Sequence, residues 1–170
     1  MDVGNFYTDV IKKDPRLKSK KRIDDMALLE PVTRKLVEQI VAEAAKDGMK
    51  LMVYETYRSQ DRQTELFNKK ASKLKTVGVH HFGLACDIVK DVGGDPSWKG
   101  DWKFLGKLAR KYKLIWGGDW GNPGVKPKFV DAVHVQRCTV EKQKSLFGGK
   151  WYPDDDYDPY KKSAKGTGGK

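Results

Sequence analysis

His80 and His81 stand side by side in the run VGVHHFGLACDIV, residues 77–89, and Asp87 follows within the same run. The third histidine of the chain, His134, lies far downstream. Two imidazoles and one carboxylate are the donor set of many catalytic zinc sites, which leave a fourth position open to water. A water held there gives up a proton near neutral pH and becomes a nucleophile, provided a general base stands within hydrogen-bond reach. Asp131, three residues before His134, is the candidate base, since a bend in Asp131-Ala132-Val133-His134 would aim both side chains at one pocket. The same residue types also make ordinary structural hydrogen bonds, and adjacent histidines leave open which one is the ligand.

Such groups act together only if the elements that carry them do. Leu28, Leu29, Val32, Leu36, Ile40, Val41 and Ala44 recur near helical spacing, which predicts a helix over 26–47 with Gly48 as its stop. KLMVYET, 50–56, reads as a buried strand, and 59–70 as a helix capped by Ser59, with Arg62 where a capping box would want Glu. Residues 71–79 read as a loop and 82–89 as a second strand, with Gly83 allowing a bend between His80 and Asp87. Alternation along that strand would turn His81 and Cys86 away from the putting-together of His80 and Asp87. A turn over 92–100, a helix over 101–112 opened by a capping Asp101, a short strand at 114–116, a glycine-rich loop to 128, a strand over 129–136 and a closing helix over 140–147 complete the pattern. The order implies an α+β domain with a small, mostly antiparallel sheet flanked by helices. Residues 1–25 read as a basic arm or short leading helix, 26–150 as the domain, and 151–170 as a loosely held tail.

A chain of 170 residues suits one domain with a real core, and no apolar run is long enough to span a bilayer. The N-terminus lacks the apolar stretch of a signal peptide, which implies cytoplasmic synthesis. The two cysteines, Cys86 and Cys138, are read as free thiols. The formal net charge of +11 favours anionic partners, among them the bacterial envelope, while the lack of an aromatic-basic motif argues against nucleic acid.

His80-His81-Phe82-Gly83-Leu84-Ala85-Cys86-Asp87 resembles the HxxGxAxD motif of the M15 zinc peptidases, which include D-Ala-D-Ala carboxypeptidases and dipeptidases and the L-alanyl-D-glutamate endopeptidases of phage lysins. The resemblance selects His80 over His81, with Asp87, as zinc ligands. It makes His134 the third ligand and Asp131 the catalytic base. Tyr57-Arg58-Ser59, followed by Gln63, is similar to another family segment, and Trp116-Gly117-Gly118-Asp119-Trp120 resembles the endopeptidase branch. Together these matches run from about residue 26 to residue 137. Two departures concern the walls of the site. Gly78 stands where the family usually has Ser, and Val133 and Val135 flank His134 where endopeptidases usually have Pro and an aromatic residue.

What the resemblance implies is a hedgehog/D,D-peptidase-like fold and zinc-dependent hydrolysis of peptidoglycan stem peptides, foremost at the L-Ala-D-Glu bond. Arg58 would stabilise the oxyanion or grip a substrate carboxylate. Gln63 would order the wall, and Trp116 and Asp119 would line or shape the groove. Such an enzyme would be a lysin, free or carried on a phage tail or injection device, and would act at the cell wall or periplasm after release. The alternatives are a D,D-carboxypeptidase or dipeptidase, and a non-catalytic structural or binding protein that keeps the fold.

Overall fold

The computed structural model describes residues 4–72, 74–120 and 130–161. Five strands form one antiparallel sheet: β1 (Leu51–Glu55), β2 (Ala85–Val92), β3 (Asp95–Ser97), β4 (Ile115–Trp116) and β5 (His134–Gln136). The order across it is β1-β2-β5-β4, with β3 pairing the far end of β2. The helices are α1 (Phe6–Asp9), α2 (Pro31–Lys46), α3 (Gln60–Asn68), α4 (Lys103–Lys111) and α5 (Gln143–Phe147). The α+β class expected from the sequence is the class observed.

The main core lies where α2 and α4 cover the sheet. Val37, Ile40 and Ala44 of α2 and Leu105, Leu108 and Ala109 of α4 pack with Cys86, Ile88 and Val135 from the strands. Burial of that apolar surface is the principal stabilising term for the layer. Cys86 alternates away from Asp87 into this core, as strand geometry predicts.

Several expected boundaries shift, each for a local reason. The first helix begins at Pro31, not at residue 26, because Pro fits the first helical position and Glu30 caps it from outside, accepting from Val32 N and Thr33 N. Leu28 therefore closes a separate 3₁₀ turn, Met26–Leu28. The second strand starts at Ala85 because Val79–Phe82 form a 3₁₀ turn that ends on Gly83 at φ +73°. A Cβ on Gly83 would also lie 3.0 Å from the Leu28 carbonyl oxygen, so the positive φ and the tight backbone contact both favour glycine. Ser59 caps α3 through Arg62 N. Asp101 accepts from Lys103 N, but Trp102 occupies the capping position of α4. The last strand is confined to His134–Gln136, since residues 131–133 turn beneath β4.

Both ends of the described chain are packed. Ile11 and Ile23 are buried with Leu28 and Tyr57, and the Tyr57 hydroxyl donates to the Leu17 carbonyl at 2.6 Å. Tyr152 donates to the Phe82 carbonyl at 2.8 Å and Tyr160 to that of Leu114 at 2.8 Å. The stretch 151–161, expected to be loosely held, is thus anchored by aromatic residues whose hydroxyls find main-chain partners. The rest of the expected tail, 162–170, and most of the glycine-rich loop, 121–128, lie outside the described residues.

Candidate metal centre

A β-bulge sets the register that builds the site. Leu51, Met52 and Val53 pair in step with Lys90, Val89 and Ile88, but Glu55, not Tyr54, faces Asp87. On the other side of β2, Asp87 faces His134. Glu55, Asp87 and His134 therefore form one row across the sheet, polar in an otherwise apolar layer, and all three are buried. Bulges recur beside active sites because the extra residue re-aims a side chain.

His80 reaches this row from the 3₁₀ turn before β2. Donor atoms of His80, Asp87 and His134 all lie within 4.8 Å of one another. One oxygen of Asp87, Oδ1, stands 3.2 Å from His80 Nε2 and 3.3 Å from His134 Nδ1. The other, Oδ2, accepts from Arg58 Nη2 at 3.3 Å. The far side of each ring is also engaged. His80 Nδ1 lies 2.8 Å from the Thr56 carbonyl, and His134 Nε2 lies 2.8 Å from Gln136 Oε1. Imidazoles held from behind in this way are suited to hold a metal ion in front. Glu55, Asp87 and Asp131 set three carboxylates against the guanidiniums of Arg58 and Arg62, a balance that a divalent cation would reverse.

The electrostatics follow this packing. Burial opposes the charge on Asp87, but His80 and His134 outweigh it and hold the carboxyl well below its ordinary range. Burial also works against a charged His134, yet the hydrogen bond to Asp87 and the field of Asp131 leave its pKa raised. Asp131 is raised chiefly by desolvation, with Asp87 adding to the effect and His134, His80 and Arg58 opposing it. A carboxylate raised toward neutrality is a better proton acceptor than an ordinary one.

Asp131 is fixed by its main chain. Its N–H donates to the Gly117 carbonyl at 3.1 Å, and its own carbonyl accepts from His134 N at 3.3 Å. Trp116 Nε1 donates to the Ala132 carbonyl at 2.7 Å, so the turn is pinned from β4. Trp116 is thereby a support of the turn, its ring lying against Gly106 and Gly118. Trp120 stands edge-on to His134, with ring centroids 5.2 Å apart. Asp119, expected to shape the groove, pairs with Arg110 of α4 at 2.5 Å and is exposed.

Arg58 is held by Glu55 Oε1 at 2.7 Å as well as by Asp87, and its Nη1 donates to Gln63 Oε1 at 3.2 Å. Gln63 is buried and also donates to Ser72 Oγ and the Leu74 carbonyl, tying Arg58 to the loop after α3. His81 does point away from His80, but the reason is the 3₁₀ turn, where successive side chains fan around the axis, and not strand alternation. Its ring lies between the Tyr7 hydroxyl, 3.0 Å from Nε2, and the Arg58 carbonyl, 3.3 Å from Nδ1. The thiols of Cys86 and Cys138 are buried and free, and burial pushes that of Cys138 up to about 12. Sequence reasoning missed Glu55 and Gln136. A charged residue inside the apolar run of β1 was the available signal for the first. For the second it was a polar side chain two residues after His134, and so on the same strand face.

The family model described as VanY, D-alanyl-D-alanine carboxypeptidase, matches residues 26–117, more than half of the chain. The chain belongs to this family. The match ends before Asp131 and His134, whose place beside the motif rests on the geometry. The Bacillus subtilis (strain 168) protein described as peptidoglycan L-alanyl-D-glutamate endopeptidase CwlK is 26% identical over 140 residues, covering 69% of this chain and 80% of that protein. The L-alanyl-D-glutamate peptidase of Listeria phage A118 is 30% identical over 110 residues, 61% of this chain but only 36% of the phage protein. Among solved structures, VanYB in complex with D-Alanine-D-Alanine shares the fold, with a TM-score of 0.50 at 18% identity over 71% of this chain and 77% of that one.

Proposed function

We propose that this VanY-family chain is a zinc-dependent peptidoglycan hydrolase that cuts the stem peptide between L-Ala and D-Glu. The observation that carries the reading is the convergence of His80, Asp87 and His134 donors within 4.8 Å. Two relatives, both described as L-alanyl-D-glutamate peptidases, support the choice of bond. Two nitrogens and one oxygen in a buried cluster suit zinc, whose catalytic sites take three such ligands.

His80, Asp87 and His134 would hold the ion, which when bound supplies Lewis-acid polarisation of the scissile carbonyl and makes water acidic. Asp131 takes the proton of the attacking water and returns it to the leaving amine, a part that its raised pKa favours. Arg58 keeps Asp87 in place through Oδ2 and offers positive charge to a developing oxyanion or a substrate carboxylate. Gln63 orders Arg58, and Trp116 supports the turn that carries the base. Trp120, edge-on to His134, contributes to the wall of the groove. No helix among the described residues is long and apolar enough to cross a membrane. A phage protein among the relatives supports a lysin that meets the wall after release.

The family description favours one other reading, a D,D-carboxypeptidase releasing D-Ala. Purified peptidoglycan digested with added Zn²⁺ and with a chelator, analysed by mass spectrometry, separates the two. New amino-terminal D-Glu that disappears with chelator is the expected product. Free D-Ala in its place would move the chain to the carboxypeptidase reading. No cleavage by zinc-loaded protein would overturn both.

A further inference from the structure

We propose that Gln136 is a positioning residue that selects the tautomer in which His134 meets the metal. The inference deepens the proposed function and rests on His134 being a ligand. Gln136 is 1% exposed, and its Oε1 lies 2.8 Å from His134 Nε2. An amide oxygen only accepts, so it pairs with a hydrogen on Nε2; an ion that takes the place of the Asp87 hydrogen bond at Nδ1 then meets the Nδ1 lone pair. Nδ1 is the nitrogen that faces Asp87.

The amide could in principle turn over and present its NH₂ group to the ring. That would drive the hydrogen onto Nδ1 and aim it at the place of the ion. The Cys138 carbonyl prevents this, because it accepts from Gln136 Nε2 at 2.5 Å, and a turned amide would set two oxygens face to face. The order Cys138 carbonyl, Gln136 amide, His134 ring, metal is thus fixed from the main chain outward. His80 reaches the same end by a shorter path, with Nδ1 against the Thr56 carbonyl and Nε2 left to face Asp87. The two rings present opposite nitrogens to one point. Only the His134 ring depends on a side chain that substitution can remove.

The test uses the full chain with ¹⁵N-labelled histidine, compared with Zn²⁺ bound and stripped of metal. Long-range imidazole correlation spectra should show His134 of the zinc-loaded native protein as the Nε2–H tautomer. Gln136→Met keeps the length of the side chain but accepts nothing. It should shift His134 toward Nδ1–H and weaken Zn²⁺ binding, read by competition with a chromophoric chelator, by about 10–100-fold. A Gln136→Met protein with the native tautomer and near-native Zn²⁺ affinity would overturn the proposal, since a merely structural side chain would lower the melting temperature alone. Should Gln136→Met fail to fold, the native spectrum still decides, because an Nδ1–H tautomer in the zinc-loaded native protein sinks the positioning role. Native protein that binds no Zn²⁺ at all overturns the ligand reading itself, a result distinct from zinc binding with the wrong tautomer.

Discussion

Asp87 divides its two oxygens between two tasks. Oδ1 meets both imidazoles, and Oδ2 meets Arg58. Asp131 does neither, being held by its main chain next to the cluster. Removing each carboxylate should therefore have different consequences. Asp87→Asn takes away a ligand charge and should abolish tight Zn²⁺ binding together with hydrolysis. Asp131→Asn should bind Zn²⁺ within a few-fold of the native protein while kcat falls by about 10²–10⁴, the usual contribution of a general base. Chelator competition and turnover of a peptidoglycan fragment measure the two effects. Equal loss of metal in both variants would remove Asp131 from the role of base. The chemical types of these residues and the motif around His80 could be read from the sequence alone. Their partners could not. Glu55 meets Asp87 only through a bulge that no pattern marks, and Gln136, though two residues from His134 on an expected strand, meets its ring only because the Cys138 carbonyl fixes the amide.

The turn of residues 131–133 depends on β4 as much as on its own residues. A Cβ added to Gly117 would lie 2.1 Å from the Asp131 carbonyl oxygen, with no flexible side chain there to yield. Gly117→Ala must therefore push the turn outward and break the bond from Asp131 N to the Gly117 carbonyl. Overpacking of this kind costs about 1–3 kcal/mol. The larger effect should fall on turnover, because displacing the base by an ångström can cost roughly 10²-fold. A folded Gly117→Ala protein, by circular dichroism, with native turnover would show that the turn can shift without moving its carboxylate. The long elements, α2, β1 and α3, declared themselves through apolar spacing and caps. The 3₁₀ turn at His80 did not, because four residues carry no period and the αL glycine that ends it reads equally well as a bend within a strand. Part of what Trp116 does was hidden for a similar reason. An aromatic beside glycines in sequence does not reveal that its ring packs on Gly106, from a different element.

Arg137 joins three distant parts of the chain. It is 1% exposed, pairs with Glu30 at the start of α2 at 3.2 Å, and donates to the carbonyls of Asp154 at 2.7 Å and Tyr157 at 3.1 Å. Sequence composition gave no sign of this clamp, since Asp and Lys around the aromatic residues of 151–161 resemble a solvated tail, and one buried arginine resembles the many exposed cations. The pair itself is not a strong source of net stability, because two charges have left water to form it. Breaking it is a different matter. Arg137→Met leaves Glu30 buried beside a missing cation and two carbonyls without their donor. Loss of one partner from a buried pair costs about 3–5 kcal/mol. Glu30 keeps the N–H groups of Val32 and Thr33 and the Thr33 hydroxyl, which places the expected loss at the lower end. At roughly 2–4 °C per kcal/mol for a chain of this size, the melting temperature should fall by about 6–12 °C. Adding Glu30→Gln to Arg137→Met should cost less than the sum of the two single changes, because the second removes the charge that the first strands. Thermal unfolding of the four proteins completes the cycle. Additive losses would mean that Arg137 acts through the carbonyls of 154 and 157 alone, with Glu30 no more than a helix cap.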